Sequence, residues 1–139
     1  LGVAAQMPVN PSLLQAAQDD PPAAAAMMAK WGVFRGHAQA ETLRGLLGDI
    51  MASVPPAALA GDLAACDGYK NAAAAAERIQ KPVLVLAADA DIMTPLSGAQ
   101  ALAEMLPLGA FAIIADAGHM LPVEKPLECA REIKAFLAA

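Results

Sequence analysis

The sequence predicts an α/β fold in two parts, with helices alone up to about residue 80 and then a strand–helix–strand–helix unit whose two strands pair in parallel. Three observations carry this. Residues 10–80 hold apolar residues at helical spacing, punctuated by Pro and Gly. Residues 83–88 (VLVLAA) and 110–115 (AFAIIA) are short continuous apolar runs, which suit strands covered on both faces. Between them lies one helix-length amphipathic stretch, so the connection is a right-handed βαβ crossover.

In order along the chain, residues 1–9 (LGVAAQMPV) read as a linker leaving an earlier core. Asn10-Pro11 caps and opens a helix through Leu13, Leu14 and Ala17. Asp20-Pro21-Pro22 repeats the signal and opens a helix that Gly32 stops. After the Arg35-Gly36-His37 break, Leu43, Leu46, Leu47, Ile50 and Met51 share one predicted helix face. Pro55-Pro56 separates that helix from the next, through Leu59, Leu63 and Cys66, and Asn71 caps a short Ala-rich helix ending near Ile79. The character changes at Lys81-Pro82, so residues 10–80 form a helical region and residues 81–139 an α/β segment. Thr94-Pro95 is expected to cap the crossover helix, whose inner face is Leu96, Ala99, Leu102, Ala103 and Leu106. A last helix from Pro126 is expected to turn Leu127, Ala130, Ile133, Phe136 and Leu137 inward.

Two parallel strands are too few for an independent sheet, because such sheets need neighbours on their edges. The chain also begins at Leu1 with no initiator Met and no signal-peptide pattern, as a piece of a longer protein would. Of its 139 residues, 58% are hydrophobic and 17% charged, which is a globular composition. A formal net charge of -5 without a basic stripe argues against nucleic acid and against an anionic membrane surface. No apolar stretch approaches bilayer length. Cys66 and Cys129 show neither metal-ligand spacing nor a disulfide framework, and a cytoplasmic setting is expected.

In open α/β sheets, ligands bind beyond the carboxyl ends of the strands. Both predicted strands end there in reactive residues: Asp89-Ala90-Asp91 after the first, and Asp116-Ala117-Gly118-His119 after the second. Neighbouring parallel strands set these loops side by side, so a carboxylate can reach the imidazole. A carboxylate on one imidazole nitrogen fixes the tautomer and leaves the other nitrogen free to take a proton from a nucleophile. Gly118 is read as allowing a tight turn before the histidine. Asp89 is read as capping or solvating the strand end, Asp116 as a turn residue, and Glu124 as an anchor of the loop after His119. His37 and Cys66 are read as structural, and Trp31 with Met27-Met28 as packing.

Residues 82–95 (PVLVLAADADIMTP) together with residues 118–126 (GHMLPVEKP) resemble the last two core strands of the α/β-hydrolase family. There an Asp lies just past the first strand, and a Gly-His pair follows the second before a Pro and an acidic residue. The resemblance implies a partial α/β-hydrolase fold with Asp91 as the catalytic acid and His119 as the catalytic histidine. It departs at Ala88, where Gly is usual. Residues 62–70 (DLAACDGYK) and the Trp31-Gly32 helix end look like the family's helical cap. The family's G-x-S-x-G elbow is absent. Ser12, Ser53 and Ser97 all stand at or near helix termini. In the family's order the nucleophile precedes the cap, so the resemblance implies a nucleophile upstream of Leu1 and a chain that is inert alone.

The resemblance thus implies the C-terminal part of a capped hydrolase of small or medium apolar esters or related substrates, using a nucleophile–His–Asp triad. No cofactor and no metal are implied. The expected partners are an apolar small molecule and the N-terminal core of the same protein. A second reading is a non-catalytic truncated module that persists by self-association, as a homo-oligomer, or by pairing with another chain through an open sheet edge.

Overall fold

The computed structural model describes residues 3–139, so the first two residues of the predicted 1–9 linker lie outside the described residues. Five helices come first: α1 (Pro11–Asp19), α2 (Pro21–Gly32), α3 (Ala40–Ala52), α4 (Pro56–Gly68) and α5 (Ala72–Ala76). They are followed by β1 (Val83–Ala88), α6 (Leu96–Met105), β2 (Gly109–Ile114), α7 (Leu121–Glu124) and α8 (Pro126–Leu137).

Local chemistry sets the helix starts. The Asn10 side chain accepts from the Ser12 amide at 2.8 Å, and Asp20 accepts from the Ala23 amide at 3.2 Å, each just before a Pro that opens the helix. Small residues then let the helices approach closely. Ala24, Ala25 and Ala29 of α2 are buried where it meets α1 and α3. Leu13, Ala17 and Leu63 fill the layer between α1, α2 and α4, with Met27, Met28 and Trp31 packed against them. Val33, Ala40, Leu43 and Leu47 form a second layer with Ala29. The predicted face of α3 is too wide: Leu46 and Ile50 are exposed, because α3 packs on α2 along a narrow stripe.

The strands β1 and β2 pair in parallel, from Val83 opposite Gly109 to Ala88 opposite Ile114. The second strand starts one residue earlier than the sequence predicts. Side chains of β1 alternate between faces, as a pleated strand requires. Val85 and Ala87 pack with Ala76 of α5 and with Ala99, Ala103 and Leu106 of the crossover. Leu86 and Ala88 pack with Ile114, Ala117, Leu121 and Cys129. Strand β1 is therefore covered on both faces, whereas Gly109 and Ile113 of β2 stay exposed, and the chain runs as helices followed by a βαβα unit.

The last helix departs from expectation. Leu127 and Leu137 are 81% and 76% exposed, Ala130 and Ile133 are exposed too, and Phe136 is half-buried. The buried residue is Cys129. The helix leans on the sheet along one edge, and among the described residues nothing covers its apolar stripe.

The pairing runs past the strands. The Asp89 amide donates to the Ile114 carbonyl at 3.2 Å and the Ala90 amide to the Ala117 carbonyl at 3.1 Å, which holds the two following loops together.

Candidate active site

Asp91 is reached from β1 through a turn that it stabilises itself. Its Oδ1 accepts from the backbone amides of Met93 and Thr94, both at 2.8 Å. Its Oδ2 accepts from the Thr94 hydroxyl at 2.6 Å and lies 2.9 Å from Nδ1 of His119. The carboxylate is acceptor-only, so Nδ1 carries the proton and donates it. The Asp91 side chain is 2% exposed and the His119 side chain 24%. Burial pushes the Asp91 carboxyl up, but the hydrogen bonds from His119 and Thr94 outweigh it and hold the group below its ordinary value. Asp91 is thus a buried carboxylate with each oxygen engaged. The Nε2 of His119 makes no hydrogen bond among the described residues.

The residue that sequence reasoning missed is Thr94. It was expected to cap α6, yet α6 starts after Pro95 and has no side-chain cap bond. Its hydroxyl turns back to Asp91 and also lies 3.3 Å from His119 Nδ1. A Thr three residues after an Asp at a strand end is the available signal, since short polar side chains close such turns locally.

The loop bearing His119 owes its shape to several neighbours. Asp116 takes the left-handed conformation at φ 54°, which Asp tolerates in turns. Gly118, expected to supply that freedom, lies outside the left-handed region, and its need is space. A Cβ there would stand 2.6 Å from the Gly32 carbonyl oxygen and 2.8 Å from the Phe34 nitrogen. Glu124 is buried, and its carboxylate accepts from the amides of Gly118 and Met120 at 3.1 Å and of Phe34 at 2.8 Å.

The rival residues stand elsewhere. Asp89 and Asp116 are exposed, and Asp89 accepts only a 3.5 Å bond from the Ala117 amide. His37 is half-buried, and its Nδ1 accepts from the Gln39 amide, which leaves Nε2–H to donate to the Glu124 carbonyl at 3.1 Å. Cys66 is half-buried within α4. The Ser53 hydroxyl donates to the Ile50 carbonyl, and Ser12 and Ser97 sit in the first turns of α1 and α6. Among the described residues no group of His, Cys, Asp and Glu stands ready to hold a metal ion, and no helix is long and apolar enough to cross a membrane.

Clefts open on both sides of the Asp91 turn. One, of about 250 Å³, is lined by Pro8, Asn10, Leu13, Trp31, Ile92 and Met93. A wider one, of about 730 Å³, runs beside Trp31, Val33, Phe34, Ala90 and Ile92, with Lys30, Arg35 and Arg44 at its border. Trp31 and Ile92 line both, so Trp31 packs in the helical half and also borders the turn that carries Asp91.

A family model described as TAP-like protein matches residues 57–139, more than half of the chain. No curated protein matches. Similar solved structures include an enol-lactonase from Burkholderia xenovorans, 17% identical over 99% of this chain and 54% of that one, with a TM-score of 0.87. A thermophilic esterase from Thermogutta terrifontis is 23% identical over 99% of this chain and 53% of its own, with a TM-score of 0.78. A bromoperoxidase from Bacillus anthracis is 20% identical over 92% of this chain and 48% of its own, with a TM-score of 0.80. At these identities the likeness is one of fold, and the chain spans about half the length of the structures it matches. With the family match over its second half and this fold throughout, the chain belongs to the α/β-hydrolase family, among its TAP-like members.

Proposed function

We propose that this chain supplies the acid and the histidine of a nucleophile–His–Asp triad, in a capped hydrolase of small or medium apolar esters or related substrates. The nucleophile comes from chain N-terminal to Leu1, and residues 10–80 serve as the cap. One observation carries the reading: the buried Asp91 carboxylate lies 2.9 Å from His119 Nδ1 while Nε2 is left open. In the reaction, the nucleophile attacks the ester carbonyl as Nε2 takes the proton it gives up. Asp91 holds the ring and stabilises the imidazolium. The same proton then goes to the departing alcohol, leaving an acyl-enzyme. Water attacks the acyl group with His119 again as base, and His119 passes that proton to the departing nucleophile, so that the acid and the free nucleophile result. The apolar walls at Leu13, Trp31, Ile92 and Met93 support an apolar acyl or alcohol group.

The test is His119→Ala in the full-length protein with a short chromogenic ester. Loss of the general base is expected to lower kcat on the order of 10⁴-fold or more. Unchanged turnover removes the histidine from the mechanism.

The exposed apolar stripe of α8 and the exposed Ile113 of β2 favour a second reading, in which this chain persists by association. A second copy, or another chain paired along the open sheet edge, would cover those residues.

A further inference from the structure

The triad reading asks nothing of the helical half at His119, yet the two are joined there. The turn that follows α2 and the loop that carries His119 interlock through one buried residue. The Glu124 carboxylate takes the amides on both sides of His119, those of Gly118 and Met120, and also the Phe34 amide from the helical half. Its backbone carbonyl takes Nε2–H of His37 from that same turn. The Met120 amide also reaches the Gly32 carbonyl at 3.2 Å. Gly118 permits the approach, since any Cβ there would strike backbone atoms of Gly32 and Phe34, which cannot rotate away. No cation pairs with Glu124 among the described residues, so its buried carboxyl group is held by N–H donors alone.

We propose that Glu124 is a positioning residue for His119 and the latch that registers the helical half against it. Its oxygens do not touch the imidazole. They fix the peptide units on either side of it, and so the direction of Nε2, relative to Phe34. Phe34 also lines the wider cleft beside the Asp91 turn, so an occupant that shifts Phe34 pulls on the carboxylate that sets the histidine's loop. Occupancy of the cleft and aim of the base are then linked. The kinetic part of this inference rests on the triad reading, whereas the latch itself does not.

The experiment compares Glu124→Gln with the parent in the full-length protein, by amide hydrogen exchange over residues 32–37 and 118–124. The glutamine keeps the shape but turns an NH2 group toward N–H donors. Loss of that acceptor is expected to speed exchange about tenfold or more at Phe34, Gly118 and Met120 together. Faster exchange confined to 118–124 overturns the latch. Where the parent turns over ester, kcat is expected to fall roughly 10- to 100-fold with KM little changed, since small misplacements of a base are costly. A kcat within about twofold of the parent overturns the positioning role. A parent inactive on every ester sinks the triad reading, while the exchange result still decides the latch. Should Glu124→Gln fail to fold, His37→Ala leaves the carboxylate in place and removes one tie from the helical side. Faster exchange at 118–124 is expected there as well, and parental exchange at 118–124 overturns the coupling.

Discussion

Thr94 decides how firmly Asp91 is held. Its hydroxyl and amide supply two of the four hydrogen bonds that the carboxylate receives, and both residues are buried. Thr94→Val keeps the shape and removes the hydroxyl. A hydrogen bond to a charged acceptor is lost, and the expected destabilisation is about 1.5–3 kcal/mol, read as a lower urea midpoint. Acid should act on the same carboxylate. Its folded value lies below the ordinary 3.8, so the stability it lends is complete above that pH and is withdrawn as pH falls through the lower folded value. The urea midpoints of the parent and of Asp91→Asn should therefore converge on acidification below about 3.8, and a gap that stays constant would contradict the linkage. That an aspartate of the first loop would meet His119 was legible in the sequence, because neighbouring parallel strands set their end loops side by side, and the choice of Asp91 among its neighbours rested on the resemblance. Thr94 was not, because a Thr before a Pro satisfies the rules of a helix cap equally well. Only the fold shows that the hydroxyl has a stronger acceptor within reach.

At the scale of elements, continuous apolar runs identified both strands, since neither has a regular polar side to confuse the pattern. The helix faces of α3 and α8 were less legible. Periodicity reports that a face is apolar and says nothing of what lies opposite it. Leu46 and Ile50, and likewise Leu127 and Leu137, belong to apolar stripes wider than the surfaces they meet here. The contact between the helical turn at Gly32–Phe34 and the loop at Gly118 could not be read either, because it joins residues far apart in the chain. It makes a sharp demand: Gly118→Ala puts a methyl group against the Gly32 carbonyl and the Phe34 nitrogen. Displacing backbone in that way is expected to cost about 1–3 kcal/mol by urea unfolding. A variant as stable as the parent would show that the two elements separate freely.

Seen whole, the molecule carries more apolar surface than its own elements cover. Ile113, Leu127, Ile133 and Leu137 are all exposed, and among the described residues β1 and β2 form a two-stranded sheet. Light scattering on the 139-residue chain is expected to report a dimer or larger species, and polar replacement of Leu127 and Leu137 is expected to shift it toward monomer. A monodisperse, well-folded monomer would contradict this. The ladder between the strands has a consequence of its own. Its rungs step together from Val83–Gly109 to Ala88–Ile114 and continue into the loops at Asp89 and Ala90. A slip of one rung would carry the second strand about 3.3 Å along the first and turn its side chains to the wrong side. The spacing of carboxylate and imidazole is thus metered by strand alignment, as a vernier sets a gap, and insertions beside β1 or β2 are the changes this protein can least absorb.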